Sequence, residues 1–120
     1  MSDTCKIKRW DILKRELNNF KPEEFLQAMV HDTDAILIDC RTAGEFAHSC
    51  LEGAFNMDYL AYDFLDKMDA LDPGKTYLVY CRTGRRSVRT CMLMKNGGFE
   101  KVYNLDGGLV ALREYAPAII

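Results

Sequence analysis

Thr76-Tyr77-Leu78-Val79-Tyr80-Cys81-Arg82-Thr83-Gly84-Arg85-Arg86-Ser87 is the stretch from which the rest of the chain can be read. A short apolar run ends at a cysteine, as a buried strand would. A loop of Thr, Gly, Ser and three arginines follows, and a helical pattern begins after it. A thiol at a strand end therefore faces a helix N-terminus and several guanidinium groups. Amide N–H groups at a helix start stabilise negative charge. Neighbouring cations do the same, so the Cys81 thiol is expected to ionise more readily than a free cysteine.

Outward from this stretch the punctuation is regular. Pro73-Gly74 stops the preceding segment, in which Leu60, Phe64, Met68 and Leu71 share one helical face behind a cap at Asp58. Ala35-Ile36-Leu37-Ile38 reads as a second buried strand, ending at Asp39. Lys21-Pro22-Glu23-Glu24 opens a helix whose apolar face is Phe25, Leu26, Met29 and Val30. Gly53-Ala54-Phe55-Asn56 marks a turn and a brief extended piece. Beyond the arginine loop, Val88, Cys91 and Met92 line a helix that ends at Asn96-Gly97-Gly98. Lys101 to Asn104 reads as a strand, and a last helix starts near Gly107-Gly108 with Leu109, Leu112 and Arg113. Ile7 to Leu17 fits strand and helix equally. Strands alternating with helices imply an α/β fold with a mainly parallel sheet. Reactive groups in such sheets lie beyond the C-terminal strand ends. Cys81 and the Asp39-Cys40-Arg41 corner both fall there.

Composition bounds the function. A chain of 120 residues, 48% hydrophobic, suits one domain, residues 1–120, with 1–20 packed on it as an N-terminal extension. The net charge of −2 gives no general attraction to nucleic acid or membrane. No apolar stretch approaches the roughly 20 residues that span a bilayer. Met1-Ser2-Asp3-Thr4-Cys5-Lys6 carries no apolar signal segment, so a cytoplasmic location is expected. The five cysteines are then expected to be reduced. They form no CxxC pair, and His31 and His48 complete no metal-ligand spacing, so neither metal nor cofactor is expected. Cys40 and Cys91 read as small core residues. If the interval from Cys81 to Cys91 is mostly helix, it rises roughly 15 Å. That exceeds the reach of a disulfide, about 7 Å between Cα atoms.

Three stretches together resemble the rhodanese-like domains. Leu37 to Phe46, followed by Leu51-Glu52-Gly53-Ala54-Phe55-Asn56, resembles their first signature. Tyr80 to Ser87 resembles their active-site loop, and Gly98 to Gly108 the signature after it. The likeness runs in order from about residue 22 to 112. It implies a three-layer fold, a mainly parallel central sheet flanked by helices, and a sulfurtransferase whose loop cysteine carries a sulfane sulfur as a persulfide. Cys81 matches that cysteine, and Arg82, Thr83, Gly84, Arg85, Arg86 and Ser87 match the loop around the sulfur. The implied donor is a small anion such as thiosulfate, and the acceptor cyanide, a thiol or a protein. Three positions depart from the family pattern: Cys40 replaces a common Val, Cys50 a frequent His, and Leu112 a frequent Trp.

The residues fit such chemistry. A thiolate attacks an S–S donor without a strong general base, and neither His nor carboxylate lies near Cys81 in sequence. From Cys81 to Phe99 the charged residues are Arg82, Arg85, Arg86, Arg89 and Lys95, all cationic. Arg82 and Arg86 are read as functional, Arg85 as part of the loop but pointing outward, and Arg89 and Lys95 as a solvated face. Asp39, Arg41 and Glu45 are read as supporting: Arg41 is expected to pair with Glu45, and Asp39 to accept from loop amides. Two other readings compete. A phosphatase or arsenate reductase of the same fold would use five residues between Cys and Arg, whereas four separate Cys81 from Arg86. A persulfide carrier or partner-binding module would keep Cys81 but turn over little on its own.

Overall fold

The computed structural model describes residues 9–119. Five strands form one sheet: β1 (Asn18–Phe20), β2 (Ile36–Asp39), β3 (Phe55–Asn56), β4 (Tyr77–Tyr80) and β5 (Val102–Leu105). Their order is β1-β5-β4-β2-β3, and each pairing is parallel. The helices are α1 (Arg9–Arg15), α2 (Pro22–His31), α3 (Ala43–His48), α4 (Phe64–Asp69), α5 (Arg85–Asn96) and α6 (Gly108–Tyr115). The expected three-layer α/β architecture is the one observed. No helix among the described residues is long and apolar enough to cross a membrane.

Alternation along the central strands builds two cores. Ile38, Val79 and Val102 face one side, where Met68 of α4 and Cys91 and Met94 of α5 cover them. Leu37, Leu78 and Leu105 face the other, against Phe25 of α2 and Leu109 and Leu112 of α6. Apolar burial on both faces is why β2 and β4 read as continuous hydrophobic runs.

The structure refines the local reading. The ambiguous N-terminal segment resolves, from residue 9 onward, into α1 and then edge strand β1, which pairs with β5. Residues 18–20 are therefore part of the sheet. Cys5 and the start of that segment lie outside the described residues. The helix expected from Leu60 begins only at Phe64, and Leu60 is 70% exposed. Asp58 does not cap it: one carboxylate oxygen accepts from Leu60 N at 2.8 Å, the other from Ala43 N at 3.1 Å. A side chain that closes a turn and ties it to α3 is not free to start a helix. Val30 leaves the buried face of α2 and is 70% exposed. Finally, α3 follows Thr42, whose Oγ1 accepts from Glu45 N at 3.3 Å while Glu45 Oε1 accepts from Thr42 N at 3.1 Å. This Thr-x-x-Glu reciprocity is a capping box and is legible in the sequence.

Candidate active site

Strand β4 ends at Tyr80, and Cys81 follows it directly, buried at the C-terminal edge of the sheet. The chain reverses through Arg82, Thr83 and Gly84 and enters α5 at Arg85. Gly84 adopts φ +100°, a conformation that L side chains resist. This turn aims two amides at the sulfur. Gly84 N–H donates to Cys81 Sγ at 3.1 Å, and Ser87 N–H donates at 3.3 Å. Ser87 Oγ accepts from the Cys81 thiol at 3.5 Å and donates to Gly84 O at 3.1 Å.

The outer wall of the loop is α6. Leu109 N–H donates to Cys81 O at 2.9 Å and Val110 N–H to Arg82 O at 3.0 Å. The approach is close: a Cβ on Gly108 would stand 2.5 Å from Arg82 O and 2.7 Å from Cys81 O. Only glycine fits there, and the Gly107-Gly108 pair exists to let α6 abut the loop.

The thiol is pulled down to about 5 from its ordinary value of 9.0. The strongest pull is a hydrogen bond from the Cys40 thiol. Burial opposes it, and the Ser87 hydroxyl and the Ser87 and Gly84 amides add to it. Cys40 shifts the opposite way, pushed well up by burial and by facing Cys81. Burial likewise pushes up Cys91. Among these three buried thiols, Cys81 is the one poised to ionise.

The corner after β2 is held by a different set of bonds from the expected one. Arg41 pairs with Asp39, not with Glu45. Its Nη2 lies 2.7 Å from Asp39 Oδ2 and its Nε 3.0 Å from the same atom. Arg41 Nη2 also donates to Ser49 O at 2.5 Å, and its guanidinium lies 5.9 Å from the Tyr80 ring centre. Asp39 accepts from one corner amide, Arg41 N at 2.8 Å, and from the Tyr80 hydroxyl at 2.7 Å. Tyr80 OH in turn accepts from Leu51 N at 3.1 Å. Burial and the Asp39 bond push the Tyr80 phenol well above its usual range. Asp39 and Arg41 are both buried, so an ion pair satisfied on most sides replaces their lost hydration.

Glu45 instead reaches the arginine loop. Arg86 Nη1 donates to Glu45 Oε1 at 2.9 Å and Nη2 to Oε2 at 3.4 Å. The Arg86 bond holds the Glu45 carboxyl at about 2, below its ordinary 4.5. The reason is steric: Thr42 already turns Glu45 toward the helix start, while Asp39 meets Arg41 first. Arg82, Thr83 and Arg85 are exposed at the rim. A cavity of about 280 Å³ opens beside them, lined by Arg82, Arg41, Glu45, His48 and Arg113 among others. His48 and Arg113 had no place in the sequence reading of the site. The sequence clue for Arg113 was its place in the last turn of the helix that follows Gly107-Gly108. The position of Cys40 was missed as well. Its clue was that Cys40 and Cys81 each directly follow a four-residue strand.

A parallel α/β domain with a cysteine cradled by amides at the C-terminal end of a central strand defines a narrow class. Residues 21–115 match the rhodanese-like domain family, and the chain belongs to it. It is 37% identical over 81 residues to a thiosulfate sulfurtransferase of Glaesserella parasuis serovar 5, covering 67% of this chain and 72% of that one. It is 35% identical over 94 residues to a tRNA uridine(34) hydroxylase of Teredinibacter turnerae, covering 75% of this chain but 29% of that protein. Its fold is similar to the solution structure of a polysulfide-sulfur transferase homodimer from Wolinella succinogenes. There the TM-score is 0.74 at 23% identity, over 94% of this chain and 85% of that one.

Proposed function

We propose that this rhodanese-like protein is a sulfurtransferase that carries a sulfane sulfur on Cys81, with residues 1–120 acting as one domain. The observation that carries the reading is the pair of amides, Gly84 N–H and Ser87 N–H, directed at Cys81 Sγ. They stabilise a thiolate at neutral pH and equally the anionic persulfide that replaces it. In the first half-reaction the thiolate attacks the outer sulfur of thiosulfate. The S–S bond breaks, sulfite leaves with its electron pair, and Cys81 becomes a persulfide anion. In the second, a thiol, cyanide or protein acceptor attacks the outer sulfur and Cys81 returns as thiolate. Neither step needs a general base.

The cavity beside the loop suits an anionic donor. Arg82 and Arg113 line it; Arg41 in its lining is neutralised by Asp39, and Glu45, its one carboxylate, is engaged by Arg86. Four residues between Cys81 and Arg86 make a tighter cradle than a tetrahedral phosphate requires, which supports sulfur over phosphoryl chemistry. The thiosulfate sulfurtransferase relative supports the same donor class.

The test is direct. Wild type and Cys81→Ser are incubated with thiosulfate and weighed intact. Wild type is expected to gain the mass of one sulfur atom and the variant none. Equal gain in both, or ready phosphate-ester hydrolysis without sulfur uptake, overturns the proposal.

A further inference from the structure

Cys40 and Cys81 occupy equivalent places on adjacent parallel strands. Asp39 is in register with Tyr80, and Cys40 N–H donates to Tyr80 O at 3.0 Å, so each cysteine is the next residue on its strand. Neighbouring strands lie about 5 Å apart. A disulfide requires Cα atoms roughly 4.4–6.8 Å apart, and the spacing of adjacent strands falls in that range. The side chains also share a face. Ile38 and Cys40 on one strand, and Val79 and Cys81 on the other, enter the same buried cluster. The Cys40 thiol donates to Tyr80 O at 3.3 Å, and its sulfur sits in the same buried cluster as that of Cys81. Cys40 is fully buried, so no acceptor from solution meets it before Cys81 does.

From this juxtaposition, and resting on the sulfurtransferase reading above, we infer that Cys40 is an internal resolving thiol that converts the Cys81 persulfide into a Cys40–Cys81 disulfide with release of sulfide. The step balances. Cys40 Sγ forms a bond to Cys81 Sγ, and the bond from Cys81 Sγ to the outer sulfur breaks. The outer sulfur leaves with that electron pair and takes the proton of Cys40, departing as HS⁻. The two cysteines are oxidised by two electrons, and the sulfane sulfur is reduced by two. A small thiol then reduces the disulfide and restores the dithiol. The protein thereby gains a second outlet for sulfane sulfur: transfer to an external acceptor when one is present, release as sulfide when none is. Because burial holds Cys40 protonated, resolution is the slower branch, and an acceptor that reaches the loop outcompetes it.

The experiment compares wild type with Cys40→Ser, which retains a hydrogen-bond donor but no nucleophilic sulfur. Both are loaded with thiosulfate, freed of excess, quenched with an alkylating agent over time, and weighed intact. Cross-linked peptides are mapped without reductant, and free sulfide is measured. In wild type the persulfide is expected to decay into a species lighter than the reduced chain by two hydrogens. Its cross-link should join the Cys40 and Cys81 peptides, with one sulfide released per chain. In Cys40→Ser the persulfide should last roughly tenfold longer and release sulfide only after a small thiol is added. Persulfides of equal lifetime in the two proteins would sink the inference and leave the sulfurtransferase reading intact. So would a cross-link mapped to Cys91 or Cys50. If neither protein gains sulfur, the sulfurtransferase reading itself falls and this inference with it. The wild-type cross-link map stands alone should Cys40→Ser fold poorly.

Discussion

Arg86 Nη1 lies 2.9 Å from Glu45 Oε1, and this contact joins the first turn of the helix after the cysteine loop to the corner after the neighbouring strand. Glu45 also closes the capping box with Thr42. One carboxylate therefore fixes both the start of α3 and the orientation of a loop arginine. The pair is 23% and 32% exposed, so water screens it.

The Glu45 carboxyl sits at about 2 in the folded protein against an ordinary 4.5. A depressed carboxylate contributes stability above its unfolded value and loses it as pH falls toward the folded one. Wild type should therefore lose about 1 kcal/mol through this group between pH 4.5 and 2, after allowance for screening. Glu45→Gln should already lack that increment at pH 7 and lose nothing further through this group. Urea unfolding of both proteins at pH 7 and pH 3 measures the difference; parallel losses would show that the ion pair is energetically silent.

Cys81 should alkylate with a pH midpoint near 5. Cys40→Val removes the strongest hydrogen bond to the thiolate and should raise that midpoint, whereas Cys40→Ser should keep it low. Rates of iodoacetamide modification between pH 4 and 9, followed at Cys81 by peptide mass, report the shift. An unchanged midpoint in Cys40→Val would assign the depression to the loop alone.

Asp39 neutralises a buried guanidinium and accepts the Tyr80 hydroxyl. Asp39→Ala strands both and should cost about 3–5 kcal/mol. Tyr80→Phe removes one bond to Asp39 and leaves Leu51 N–H without its acceptor, for about 1–3 kcal/mol. Neither residue is asked to take part in sulfur transfer. Folded Tyr80→Phe should keep most of the wild-type sulfur uptake, measured by intact mass alongside its unfolding curve.

Gly108 has φ +63° and no room for a methyl group against Arg82 O and Cys81 O. Gly108→Ala must push α6 away from the loop or strain its own backbone, at about 1–3 kcal/mol. Displacing α6 removes the Leu109 and Val110 amides from the loop carbonyls. The rate of sulfur uptake should fall more than stability does. An equal loss in Ala111→Gly, on the same helix, would remove the special role given to the close approach.

Sequence alone determined what depends on near neighbours. Continuous apolar runs ending at Asp39 and Tyr80 marked strands buried on both faces. Pro-Gly and Gly-Gly pairs marked where elements stop, because those residues set the backbone angles of the turn itself. The strand–loop–helix order around Cys81 set a thiol before a helix start, and the resemblance put Gly84 and Ser87 in its loop; their amides point at the sulfur. Only the tertiary structure decided which charges meet. The four-residue spacing of Arg41 and Glu45 favoured a local pair. Instead Asp39 captures Arg41 at the buried corner, and Glu45 crosses 41 positions of chain to Arg86. The same holds for Cys40. Its sequence context shows a small residue beside a strand, and only the β2–β4 register sets its sulfur against that of Cys81. Register is a sum of long-range packing and ladder bonds, so contacts across strands cannot be read from spacing along the chain.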